Sequence, residues 1–194
     1  MKKMILYFLP LILLLTACGA AESERAAELQ TLYGGLQSYC AEVNIDIPRE
    51  DETLHYTLSY TKDGQELIVR VLAPELLRGI TAHIDDGTLA LEYDGVMLDA
   101  GMLGSGVSAL SCVPLLLQAF PESYFDTQGE ETLGQDNALR VSFETDCCGE
   151  MLHCVMYFSE ENTPLYAEIS GNEKIIAFAE FTNFTFGDIL PTDV

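Results

Sequence analysis

The chain has no tryptophan, three histidines, and nine lysines and arginines among 194 residues. Each shortage excludes something. Nucleic acids are held through phosphate contacts, which need a basic face. Against the nine basic residues stand 31 aspartates and glutamates, a formal net charge of −22. Neither a nucleic-acid partner nor a polybasic membrane patch fits that balance. There is no phosphate-cradling glycine loop, no dinucleotide fingerprint and no EF-hand spacing. His55, His83 and His153 lie far apart, and no serine or cysteine elbow accompanies any of them. Ser105, within Gly104-Ser105-Gly106, lacks the strand-to-helix framing of a hydrolase nucleophile. The expectation is a protein that is not an enzyme and holds neither cofactor nor metal.

The apolar run near the start, Ile5 to Leu15, has eleven residues and is interrupted by Pro10. A helix needs about 20 to cross a bilayer, so this run is too short to span. Lys2 and Lys3 precede it and small residues follow it, the three-part pattern of a secretion signal. The set Leu15-Thr16-Ala17-Cys18 resembles the lipobox of bacterial lipoproteins. That resemblance implies cleavage before Cys18 and a diacylglyceryl group on its sulfur. Residues 1–17 are then a signal peptide, 18–25 a lipidated tether, and 26–194 one domain. The place expected is the extracytoplasmic face of the cell membrane, with the membrane itself a partner through the lipid anchor. Two acyl chains anchor stably where one is marginal. Without Lys2 and Lys3, seven basic residues face 31 acidic ones. Anionic headgroups repel such a body, so the anchor must supply the attachment and the domain should stand off the surface.

Apolar residues make up 48% of the chain, enough for a real core. Ala26, Leu29, Leu32, Tyr33 and Leu36 recur at spacings of three and four, a helix over about 22–36 with Ser23 as its cap. From Gln37 the period is two. Leu54, Tyr56, Leu58 and Tyr60 form one strand; Leu67, Val69 and Val71 another, ended by Pro74. Ile80, Ala82 and Ile84, then Leu89, Leu91 and Tyr93, continue the series. Asp63-Gly64, Asp86-Gly87 and Asp94-Gly95 separate these runs as tight turns, giving an antiparallel meander. Gly101 to Gly106 reads as a loop, and Ala109 to Phe120 as a second, almost wholly apolar helix. Strands resume over 139–146, 151–158, 165–169 and 175–186. In the last, Ile176, Phe178, Thr182, Phe184 and Phe186 read as one face.

Helix, about six strands, helix, and four or five more strands define an α+β fold. One extended, curved antiparallel sheet of about 10–11 strands, an open half-barrel with helices on its concave face, accounts for the order. The N-terminal helix, the strand ending in Pro74, the hairpins Asp85-Asp86-Gly87 and Tyr93-Asp94-Gly95, the central helix and the final Asn183-Phe184-Thr185-Phe186 strand resemble the LolA/LolB-like lipoprotein-carrier fold. The resemblance implies binding of lipid acyl chains or lipidated proteins in the cavity, or docking of envelope proteins. Related lipoproteins of spore-forming bacteria work as partners of cell-wall enzymes. The high negative charge departs from what a carrier of anionic lipid would prefer.

With Cys18 assigned to the anchor, Cys40, Cys112, Cys147, Cys148 and Cys154 remain, an odd number. A four-residue loop over 149–152 sets Cys147 opposite Cys154, in reach of a cross-strand disulfide, and Cys148 opposite His153. A two-residue turn at Gly149-Glu150 sets Cys147 opposite Leu152. Zinc at these cysteines and His153 is disfavoured, because adjacent cysteines rarely reach one tetrahedral ion. The acidic pairs Glu50-Asp51-Glu52, Asp85-Asp86, Glu130-Glu131 and Glu160-Glu161 read as solvated turns. The apolar surplus is the remaining clue. Leu110, Val113, Leu115, Leu116, Leu117 and Phe120 of the second helix should meet Tyr56, Tyr60, Val69, Leu91, Phe143, Met156, Phe178 and Phe184. That space is either a closed core or a cleft for an acyl chain or a partner's apolar segment. The first functional expectation is therefore a cleft that binds a hydrophobic ligand or a lipidated partner. The alternative is an envelope docking module with a filled core and an acidic outer face.

Overall fold

The computed structural model describes residues 18–102, 106–134 and 136–187. The signal segment 1–17 and Ser105 lie outside them. Eleven strands form one antiparallel sheet: β1 (Ser38–Pro48), β2 (Thr53–Asp63), β3 (Glu66–Ala73), β4 (Thr81–Asp85), β5 (Thr88–Tyr93), β6 (Val96–Met102), β7 (Phe125–Leu133), β8 (Asp136–Cys147), β9 (Glu150–Phe158), β10 (Pro164–Gly171) and β11 (Lys174–Phe186). Their spatial order is β6-β5-β4-β3-β2-β1-β11-β10-β9-β8-β7. It is a meander in two halves, joined where β1 pairs with β11, and it does not close into a barrel. Helices α1 (Cys18–Gly34) and α2 (Cys112–Ala119) complete the α+β half-barrel.

The turns explain the meander. Asp86 and Gly87 have φ of 46° and 74°, and Asp94 and Gly95 have 50° and 73°. Positive φ at both central residues is the type I′ geometry, whose twist matches that of the strands it joins. Cys148 and Gly149 (57° and 85°) do the same between β8 and β9, and Asn172 and Glu173 (50° and 61°) between β10 and β11.

Alternate residues of the strands fill the concave side: Tyr39, Ala41, Val43, Ile45 and Ile47 of β1, and Leu139, Val141 and Phe143 of β8, are buried. α1 adds Ala26, Leu29 and Tyr33, one stripe at spacings of three and four. Leu32 falls off that stripe and is exposed. The Tyr33 ring meets Phe120 and Phe158 edge-on at 5.5 and 5.4 Å, and its hydroxyl donates to the Asn162 carbonyl. α1 starts at Cys18, so Ser23 lies inside it and is not its cap. The stretch expected as a tether is helical, because Ala20, Ala21, Glu22 and Glu24 are good helix formers. Arg25 bonds Glu130 of β7 and the Ser159 carbonyl, fastening the helix to the body. α2 starts three residues later than Ala109, behind a turn in which Ser108 and Ser111 exchange hydrogen bonds.

β7 carries Glu130 and Glu131, so this acidic pair sits on a strand and not in a loop. Its sequence, FDTQGEETL, has no apolar alternation because it is a sheet edge with most of its side chains in water.

Candidate functional site

The residues expected to line a cleft are packed together. Val113, Leu116, Phe120, Tyr60, Val69, Phe143 and Met156 are wholly buried, and Leu117 and Phe184 nearly so. Leu110, Tyr56 and Leu91 are half-buried against the same cluster. This part of the concave side is a filled core. Phe178 is a correction. It lies on the convex face, its ring 6.1 Å from Tyr166, which in turn lies 6.0 Å from Tyr157. The cause is a bulge: Glu42 pairs with Asn183 and Val43 with Phe181, leaving Thr182 as an extra residue. One added residue moves the following side chains to the other face. Ala177, Ala179 and Phe181 therefore share the core with Phe184, and Phe178 does not.

The unfilled space lies elsewhere. A half-open cavity of about 600 Å³ sits beside α2, and of the residues expected to meet at the cleft Leu115 alone lines it. Its walls come from α2, from the β2–β3 and β4–β5 turns, and from the β8–β9 turn. β2 and β8 stand five places apart in the sheet order, so the sheet must curl strongly for both to reach one cavity. Buried Tyr39, Leu67 and Ile84 form the inner wall, with Leu115 and Pro114 of α2. Lys62, Gln65, Asp86, Ser111 and Gln118 form a polar rim, and Cys147 and Cys148 line the far side. The volume falls in the range of small-molecule sites, and an apolar wall with a few polar groups is their usual lining.

One atom of the core is unusual. The Tyr39 hydroxyl is the buried side-chain oxygen or nitrogen that has no hydrogen-bond partner among the described residues. Nearly all buried polar groups are paired, and an orphan costs about 1–3 kcal/mol. The contrast is Tyr60, as deeply buried, whose hydroxyl donates to the Ala109 carbonyl. Burial raises the pKa of both phenols, so each remains a neutral O–H donor.

Cys40, Cys112, Cys147, Cys148 and Cys154 are free thiols. The β8–β9 turn is Cys148-Gly149, which differs from both expected registers. Cys147 stands opposite Glu150 and Cys154 opposite Phe143. The two lie on one face but four positions apart, about 13 Å along the strand, too far for a disulfide. The expected Cys147–Cys154 pairing is thus corrected by a shorter turn. Burial pushes the Cys112 and Cys154 thiols up to about 12, and the Cys147 thiol also upward. A thiol held protonated is a weak nucleophile.

The histidines pair with carboxylates. His55 Nδ1 lies 2.6 Å from Asp46 Oδ1, and His83 Nε2 lies 3.1 Å from Glu92 Oε2. His153 stands opposite Glu144. None of the three lines the cavity. Among the described residues no group of three or more His, Cys, Asp or Glu side chains is placed to hold a metal ion, and no helix is long and apolar enough to cross a membrane.

Fold and cavity together define a curled, open antiparallel sheet with helices laid in it. Solved structures match this arrangement. An uncharacterized conserved protein from Thermus thermophilus shares it with a TM-score of 0.52 at 12% identity, over 87% of this chain and 89% of the other. A LolA superfamily protein, NE2245 from Nitrosomonas europaea, matches with a TM-score of 0.45 at 10% identity, over 86% and 94%. A chain in the structure of the CwlD amidase from Clostridioides difficile in complex with the GerS lipoprotein matches with a TM-score of 0.38 at 13% identity, over 87% and 94%. No protein-family model and no curated protein sequence matches the chain.

Proposed function

We propose that the protein is a lipid-anchored, extracytoplasmic binding protein that takes an amphiphile in the cavity beside α2. It works by contact and not by turnover. The observation that carries this reading is the cavity itself, about 600 Å³, with Tyr39, Leu67, Ile84 and Leu115 on its inner wall and a polar rim that includes Lys62. A ligand with an apolar chain and a polar acceptor suits such a wall. Its chain would lie against Leu67, Ile84 and Leu115, and its polar end would meet the rim. Lys62 on the rim suits an anionic end group despite the acidity of the body.

The anchor rests on the lipobox residues Leu15-Thr16-Ala17-Cys18. Cys18 opens α1, and Arg25 already grips the body. Seven residues of helix span only about 10 Å. The domain is therefore held near the bilayer, roughly one Debye length away.

The test is a titration of the soluble Cys18→Ser protein with a dansyl-labelled fatty acid. Saturating fluorescence enhancement at one probe per chain is expected, and Leu115→Arg should abolish it while leaving the melting transition in place. No enhancement with the folded protein, or enhancement that Leu115→Arg does not alter, would refute the reading.

A further inference from the structure

Sheet edges of stable proteins are blunted by charge, proline or a cover, because their free backbone groups recruit other strands. β7 follows that rule. It carries Glu130 and Glu131, and Arg25 of α1 reaches across to it. The opposite edge does not. All seven residues of β6 are exposed, so both faces of the strand meet water. Val96, Met97, Leu98 and Met102 are between 58% and 73% exposed, and Tyr93 beside them 58%. Alternate N–H and C=O groups of an edge strand point away from its one neighbour. β6 thus offers open backbone and apolar side chains in the same place.

We propose that the free edge of β6 is a docking site for an extended segment of a partner protein, one that adds as a further strand and carries lysine or arginine among apolar residues. Charge selects this occupant. Residues 75–102 carry six carboxylates (Glu75, Asp85, Asp86, Glu92, Asp94 and Asp99) and one basic side chain, Arg78, itself paired with Glu75. Opposite charges across a strand pair stabilise it and like charges destabilise it. A second copy of this chain is disfavoured on that ground. Self-pairing would bring the six carboxylates of residues 75–102 in each copy together along one seam. A bilayer is disfavoured too. Asp94 and Asp99 flank the apolar residues, and an aspartate carried into hydrocarbon costs about 2.5–3.5 kcal/mol. The Asp99 carboxylate also accepts the Gly101 N–H at 2.8 Å, which holds the bulge at Ala100 and confines the regular edge to Val96–Asp99.

The experiment uses the full chain with Cys18→Ser and a peptide of alternating valine and lysine, about nine residues long. Amide hydrogen exchange should show protection within Val96–Asp99, weakening as salt rises. A matched valine–glutamate peptide should give none. Leu98→Lys, at an exposed position, should weaken binding about tenfold. Asp99→Asn keeps an oxygen for Gly101 and should flatten the salt dependence. Circular dichroism checks that both variants fold. Three results overturn the proposal: no protection of β6, or equal protection by both peptides; a dimer in sedimentation whose β6 amides are already protected, which makes the occupant a second copy; or flotation with phosphatidylglycerol vesicles that Leu98→Lys abolishes, which makes it the membrane.

Discussion

Replacing Tyr39 by phenylalanine removes a buried polar atom that has no partner among the described residues. The substitution removes one oxygen and leaves the ring, which stacks on Phe184 at 5.7 Å. In the ligand-free protein that oxygen is buried without a partner. Its desolvation is uncompensated, so removing it should stabilise the fold by about 1 kcal/mol, within the 1–3 kcal/mol range for an unsatisfied buried hydroxyl. For a chain of this size that is a rise of roughly 2–4 °C in Tm. Tyr60→Phe is the internal control. It removes an equally buried hydroxyl that does have a partner, the Ala109 carbonyl, and should cost about 1 kcal/mol. The two substitutions are chemically identical and should have opposite signs. Urea unfolding of the soluble Cys18→Ser protein measures both. A Tyr39→Phe protein destabilised by 1 kcal/mol or more without ligand would show that the hydroxyl is satisfied, and the reasoning would fail.

Other outcomes follow from the same structure. Cys18→Ser should release the protein from membranes, and retention in the membrane pellet would count against the anchor. Leu116→Ala, at a wholly buried contact of α2, should cost about 2–5 kcal/mol in urea unfolding, and less than 1 kcal/mol would mean the helix is loosely held. Arg25→Ala should raise amide exchange along α1 and cost about 0.5–1 kcal/mol, since the Ser159 carbonyl keeps the Asn162 N–H as a donor and the half-exposed Glu130 is screened by water. Cys112 and Cys154 hold their protons more tightly folded than unfolded. Their contribution is full below about pH 9 and is lost as pH rises toward 12, so stability should fall through that window, and Cys112→Ala with Cys154→Ala should flatten the fall.

The strand series was legible because its punctuation is local. Asp86-Gly87 and Asp94-Gly95 announce type I′ turns from two residues (at the first hairpin the turn is Gly64-Gln65, one residue later than Asp63-Gly64), and alternation over five or six residues needs nothing from the rest of the chain. Where tertiary context decides, sequence reading stopped. The Thr182 bulge is set by how β1 and β11 meet, so nothing near Phe178 signals that it points outward. The Cys148-Gly149 turn was within reach, since a glycine in second position permits it, but cysteine seldom takes the positive φ found there. β7 was missed because a wet edge strand has no apolar face to read. The cavity was invisible for a different reason. Its walls are turn residues such as Lys62 and Asp86, together with Tyr39 and Leu115, and what makes them a site is the volume left between them. Alternation locates what is buried and says nothing about what is left unfilled.

Native mass spectrometry of the anchored protein, released from membranes in mild detergent, tests the central claim most directly. The account predicts a species heavier than the lipid-modified chain by the mass of one further lipid, absent from the Leu115→Arg variant. Only the lipid-modified chain, under conditions that preserve the bound amphiphile of a known carrier, would contradict it.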